Sequence, residues 1–191
     1  ASSGTPGRTK KGGFQDDFQL LFMDETTLSL DPVLRACWMK MGVQQRIPLP
    51  AKKKKKHCHV FGAYNWISDQ VEWMIAHWKN SETFITFLEH LLIEKYPTGR
   101  LILVLDRASY HKSAAALAAL SLFEHRILIV WLPAYCTELN PIERFWRHLK
   151  DLACANQLWS SLEEVIMKVE QVLHQQNAPN YEYRFELSKY L

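Results

Sequence analysis

Several features that commonly define a small protein's class are scarce in this 191-residue chain. Its only cysteines are Cys37, Cys58, Cys136 and Cys154, widely spaced and without a CxxC pair. That excludes a zinc ribbon and a disulfide-stapled scaffold, and points to a reducing cytoplasm. No apolar run approaches the roughly 20 residues of a membrane helix, and the polar opening ASSGTPGRTKKGG lacks the apolar core of an export signal. A soluble, unexported protein without membrane partners is expected. Charge of one sign is not in large excess either: 23 Lys and Arg face 20 Asp and Glu, a balance that does not by itself imply nucleic acid. No internal repeat is visible. What is abundant is core-forming material, 48% hydrophobic and 12% aromatic, enough for one domain with a sizeable core.

The opening segment, residues 1–16, is rich in Ser, Gly, Lys and Thr and reads as a flexible linker or a truncated edge. The folded domain is expected over residues 17–177, with 178–191 as a C-terminal tail. From Phe18 to Met23 the chain is almost wholly apolar and ends on Asp24, the pattern of a buried central strand whose tip emerges at a site. Arg35 to Lys40 reads as a short second strand. His59–Trp66 and Val71–Trp78, separated by Ile67-Ser68-Asp69-Gln70, read as a hairpin. Ser81 is placed to cap a helix carrying Phe84, Leu88, Leu91 and Leu92 that stops at Pro97-Thr98-Gly99.

A second apolar run, Leu101 to Leu105, also ends on aspartate, Asp106. An Ala-rich helix from about Ser113 to Glu124 and a strand from Ile127 to Trp131 follow. Asn140-Pro141 opens a helix running to about Ala153, and Ser161 with Glu164 forms a capping box for a last one striped by Leu162, Val165, Ile166, Val169 and Leu173. The order is β-β-β-α-β-α-β-α-α, an α/β fold with a five-stranded mixed sheet flanked by helices and right-handed crossovers.

In open α/β sheets the working surface lies at the carboxyl ends of parallel strands, and here two apolar strands finish on Asp24 and Asp106. On neighbouring strands, about 4.8 Å apart, both would reach one hard cation. Glu143, in the first turn after Asn140-Pro141, is a candidate third carboxylate. Two metal ions held by such a triad, about 3.5–4 Å apart, suit in-line phosphoryl transfer. Each residue also has a plainer reading. Aspartate at a strand end is a turn former, and Asn-x-x-Glu resembles a capping box in which Glu143 bonds backbone or pairs with Arg147.

Three segments carry a family resemblance: LLFMDET (Leu20 to Thr26), LILVLDRASYHKS (Leu101 to Ser113) and WLPAYCTELNPIERFWRHLK (Trp131 to Lys150). In this order they resemble the signature blocks of mariner-superfamily transposases, particularly the bacterial insertion-sequence branch. The 36 residues between Asp106 and Glu143 match that family's spacing, as do Trp38, Gly42, the basic segment and VFGAYNW. The resemblance spans about Leu20 to Val172.

It implies a ribonuclease-H-like DDE catalytic domain with Asp24, Asp106 and Glu143 as catalytic and metal-binding residues. It further implies magnesium or manganese as cofactor, two ions, with no small-molecule cofactor. The expected partners are double-stranded transposon-end and target DNA and a second copy of the chain, in the bacterial cytoplasm at the nucleoid. Cleavage and 3′-hydroxyl strand transfer would follow, usually into a TA-containing target. A related endonuclease without strand transfer and a domesticated DNA-binding derivative are the alternatives. Two departures stand out: Arg107 occupies the family's usual Asn position, and the family's helix-turn-helix reader of transposon ends has no counterpart before Phe18.

Candidate DNA contacts are the basic run Lys52, Lys53, Lys54, Lys55 and Lys56, with Arg107, His111, Asn140, Arg144, Arg147 and Lys150. A solvated loop is the alternative for the lysines, a solvated side chain for Arg107, ion pairing for the α-helical cations and a helix cap for His111. His57-Cys58-His59 has no second ligand pair at zinc spacing, and Trp131 and Trp146 are assigned to the core.

Overall fold

The computed structural model describes residues 18–36, 38–42, 56–134 and 139–190. Lys52 to Lys55 lie outside the described residues. Five strands, β1 (Phe18–Ser29), β2 (His57–Asn65), β3 (Val71–Ala76), β4 (Arg100–Leu105) and β5 (Ile127–Trp131), form one sheet in the order β3-β2-β1-β4-β5. β1 pairs antiparallel with β2 and parallel with β4, β2 pairs antiparallel with β3, and β4 pairs parallel with β5. The helices are α1 (Ser81–Glu89), prolonged by a wide turn over His90–Lys95, then α2 (Ala114–Leu122), α3 (Ile142–Cys154) and α4 (Leu162–Asn177). Both the element order and the mixed sheet are those expected from the sequence.

Strand periodicity divides the core in two. Odd-numbered Leu21 and Met23 of β1, with Leu101, Leu103 and Leu105 of β4, pack against Phe84, Phe87 and Leu88 of α1 and Leu120 of α2. Even-numbered Phe22 and Leu28 join the core of the opposite face, with Phe145, Trp146 and Leu149 of α3 and Val165, Val169 and Leu173 of α4. The sheet is thus covered by helices on both sides, and β1 is apolar on both faces.

The structure departs from the sequence reading at several points. β1 does not end at Asp24. It pairs with β4 only over Phe18–Phe22, but β2 continues to bond it over Leu21–Ser29, so Asp24 lies mid-strand where the β4 side has fallen away. The described residues between Arg35 and Lys40 form no strand. This segment is tied to the end of α3 instead, through a bridge between Val33 and Ala155 and a bond from Arg35 N to Asn156 Oδ1 of 2.9 Å. Asn80, not Ser81, caps α1 by accepting from Thr83 N at 2.9 Å, while the Ser81 hydroxyl donates to Tyr110 O. Ser161 caps as predicted, and Ser113, read as the start of its helix, is the cap of α2. Residues 178–187 are no loose tail: Phe185 and Leu187 are buried, and the Gln176 amide exchanges two 2.8 Å bonds with the Phe185 backbone.

One glycine has a packing reason. Gly62 stands opposite Asp24 in the β1–β2 register, and a Cβ there would lie 2.3 Å from Trp146 Cη2. Only the missing side chain lets the indole lie across β2. Gly62→Ala is therefore expected to destabilise the protein by about 1–3 kcal/mol through overpacking. Urea unfolding checks this, and an unchanged midpoint and slope would contradict it.

Candidate active site

The register that pairs Phe22 with Val104 places Asp24 and Asp106 each two residues beyond the last β1–β4 pair. The notch left where β4 stops opens into a cleft of about 670 Å³ lined by Asp24, Glu25, Lys79, Asp106, Arg107, Lys112, Asn140 and Glu143, among others. The middle of β1, the end of β4 and the first turn of α3 thus bring Asp24, Asp106 and Glu143 to one cavity. Glu143 is exposed there.

Alternation sends Asp24 and its neighbour Glu25 to opposite faces. On the α3 face, Trp146 Nε1 donates to Asp24 Oδ2 at 3.1 Å. Burial, then the negative charges of Glu25 and Glu143, push Asp24 up to about 7. On the α1–α2 face, Glu25 lies beneath the cleft with its side chain 2% exposed. Its Oε1 faces His111 Nε2 at 3.1 Å, its Oε2 accepts from the Tyr110 hydroxyl, and Lys79 Nζ lies 3.4 Å away. Burial works against ionisation of Glu25, yet the His111, Tyr110 and Lys79 partners together hold it below the usual carboxylate range.

His111 joins the two faces. Its Nδ1 lies 2.8 Å from Asp106 Oδ1, which also accepts from Ala108 N at 3.0 Å. The His111 bond holds Asp106 below its usual range against partial burial. Burial disfavours charge on the imidazole, but its two carboxylate partners outweigh that and raise it to about 9. At 1% exposure His111 is neither a helix cap nor a surface DNA contact; it lies in a single 3-10 turn, Ser109–Lys112, with its ring 4.5 Å from that of Phe84.

Asn140 does not cap α3. Its Nδ2 donates to Met23 O at 3.1 Å, tying the helix start to β1 one residue before Asp24, and α3 has no side-chain cap bond. The Asn140 half of the capping box is therefore absent, and Glu143 stands exposed on the cleft. Arg107 is exposed but tethered, its Nε donating to Leu132 O at 3.0 Å on the cleft wall. Arg144, Arg147 and Lys150 line a second cleft of about 480 Å³ with Arg35, and this cleft shares Asn140 and Glu143 with the first. Lys56 is exposed at the start of β2. Trp146 is core, as predicted, and Trp131 packs partly buried beside α1 and α2.

Sequence reasoning missed Glu25, Lys79, Lys112 and Arg35. Glu25 carried one usable signal: it follows Leu21 and Met23 at strand spacing, so a carboxylate falls on a face that is otherwise core. The others are brought in by distant parts of the chain, and nothing near them in sequence announces it.

The carboxylates share the cleft without closing on one point. Among the described residues no three His, Cys, Asp or Glu side chains cluster tightly enough to enclose an ion. The donor set nonetheless fits magnesium or manganese, which take oxygen ligands, retain waters and are bound by one or two carboxylates together with substrate phosphates. Two further observations agree. Asp24 is crowded by other carboxylates, and Asn140 Oδ1 is a buried oxygen acceptor on the cleft wall with no hydrogen-bond partner among the described residues.

A mixed five-stranded sheet in this order, with helices on both faces and acidic residues at the adjoining ends of its central parallel pair, defines a ribonuclease-H-like domain. The model of the DDE superfamily endonuclease family matches residues 19–166, and the chain belongs to that family. The insertion element IS630 39 kDa protein of Shigella sonnei is 26% identical over 150 residues, covering 78% of this chain and 43% of that protein. Among solved structures, the Mos1 strand transfer complex superposes with a TM-score of 0.66 at 17% identity, over 89% of this chain and 50% of that one. The catalytic domain of Mos1 mariner transposase gives 0.57 at 17% identity, over 89% and 74%. The chain thus spans less than half of its curated relative.

The raised Asp24 has a testable sign. Between about 4 and about 7 the unfolded chain ionises this group while the metal-free folded protein keeps it protonated. The native state then binds more protons, so stability falls as pH rises through that window. Asp24→Asn removes this contribution and retains an acceptor for Trp146. Metal-free wild type should therefore lose stability relative to Asp24→Asn by on the order of a few kcal/mol from pH 4 to 7. Parallel urea-unfolding curves across that range would show that Asp24 is not perturbed.

Proposed function

We propose that the chain is the catalytic domain of a bacterial DNA transposase, which hydrolyses phosphodiester bonds at transposon ends and then joins the freed 3′-hydroxyl to target DNA. The observation that carries this reading is the arrangement at the notch: Asp24 and Asp106 in parallel register beyond the last β1–β4 pair, with Glu143 of α3 on the same cleft. Membership of the DDE superfamily endonucleases supports it, as does the likeness to an insertion-element protein. The catalytic unit is assigned to residues 17–187, extended from 177 because Phe185 and Leu187 belong to its core.

Asp24, Asp106 and Glu143 are assigned to hold two magnesium or manganese ions. Bound there, such ions neutralise charge on the scissile phosphate and lower the pKa of the attacking hydroxyl. The chain's own groups do the rest. Lys79, Arg107 and Lys112 on the rim supply positive charge to phosphates beside the cut, with Arg107 steadied by Leu132 O. Arg35, Arg144, Arg147 and Lys150 give the neighbouring cleft the charge to follow a backbone past Glu143. Cutting and joining two ends together calls for two active sites, so a homodimer on DNA, at the nucleoid, is part of the proposal.

Asp106→Asn and Glu143→Gln should each reduce magnesium-dependent nicking of a transposon-end duplex by a factor of roughly 100–1,000 or more, on the scale set by losing charge stabilisation in a transition state. Circular dichroism and retention of DNA on a gel should change little. A pre-cleaved end incubated with plasmid distinguishes the chemistry. Joined product supports the transposase, whereas nicking without joining identifies an endonuclease. Retention of full cleavage by either variant overturns the site.

A further inference from the structure

We infer that Glu25 is a positioning residue for the acidic site, acting through His111 to fix the carboxylate of Asp106. This inference rests on the reading of Asp106 as a metal-holding residue.

The case begins with the cost of the arrangement. Glu25 and His111 are 2% and 1% exposed in their side chains, on a face otherwise filled by leucine, methionine and phenylalanine. Burying an ion pair costs several kcal/mol in lost hydration, and apolar residues of similar volume usually serve stability equally well. Stability therefore gives little reason for a carboxylate and an imidazole here. Their placement gives a better one, because among the three proposed metal-holding carboxylates the His111 ring bonds Asp106.

Geometry defines the direction of action. Both bonds that orient Asp106, from His111 Nδ1 and Ala108 N, fall on Oδ1, which leaves its other oxygen for the cleft. Glu25 Oε1 at 3.1 Å from Nε2 and Asp106 Oδ1 at 2.8 Å from Nδ1 hold the imidazole at both ends, so the ring cannot turn away from Asp106 while Glu25 keeps its place.

Glu25 is itself restrained from the far side. Tyr110 bonds its second oxygen, and Lys79 approaches from the cleft rim. Tyr110 and His111 are consecutive in one short turn, and that turn is tied to α1 by the Ser81 hydroxyl. The chain of contacts runs from α1 through the turn to β1 and returns to the end of β4. It passes under Asp24 without touching it, because Glu25 and Asp24 point to opposite faces.

The test is a double-mutant cycle on the whole chain, reading Mn²⁺ affinity by electron paramagnetic resonance and, separately, kcat and KM for nicking. Glu25→Gln should weaken Mn²⁺ binding by roughly tenfold or more, the scale for partners of metal ligands, and lower kcat with KM for DNA unchanged. In His111→Asn the amide Nδ2 replaces the Nδ1 donor without needing Glu25. Adding Glu25→Gln to that variant should then cost nothing further. An equal loss in both backgrounds, or no loss in the wild-type background, overturns the inference. If Glu25→Gln does not fold, Tyr110→Phe takes its place, with a smaller weakening expected and an unchanged affinity counting against the idea. A wild-type chain that neither binds Mn²⁺ nor nicks DNA overturns the proposed function and this inference together. Wild-type activity with an unaffected Glu25→Gln overturns this inference alone.

Discussion

Asp24 is buried beside two other carboxylates, Glu25 and Glu143, and that burial and crowding are the constraint around which the site is organised. Like charges in such a place either give up ionisation or find positive partners. The chain does both. His111 and Lys79 secure Glu25 and Asp106 as anions, whereas Asp24, bonded by the Trp146 indole and the Glu25 backbone, rises to about 7. Cationic partners thus separate Glu25 and Asp106 from Asp24 in their readiness to ionise.

The fold produces this inequality through strand geometry. A parallel partner that ends early and an antiparallel partner that continues leave β1 bonded on one side only at Asp24. Period-two alternation then separates neighbours: Asp24 meets α3, and Glu25 meets the α1–α2 core. A single peptide step carries the chain from the wall of an open cleft to a closed polar network.

Much of this was legible from residues, but unevenly. The run ending at Asp106 announced a buried parallel strand because nothing interrupts its hydrophobicity. Asp24 was found for a partly mistaken reason: its strand was read as ending where apolar residues stop, yet backbone pairing with β2 carries it on through polar Glu25, Thr26 and Thr27. Glu143 was locally indistinguishable from a helix cap. Only the engagement of Asn140 with Met23, 117 positions away, takes away the Asn140 half of that cap. Lys79 and Arg35 could not be placed at all, since what brings each to a cleft is a fold-wide contact with no local pattern.

The missing side chain at Gly62 has a mechanical consequence. It seats Trp146 across β2, and the same indole holds Asp24, so a pull on that carboxylate is delivered directly to α3. Along this helix stand Glu143, Arg144, Arg147 and Lys150. Through that one helix a shift of Asp24 in the first cleft is shared with the arginines and lysine that line the second.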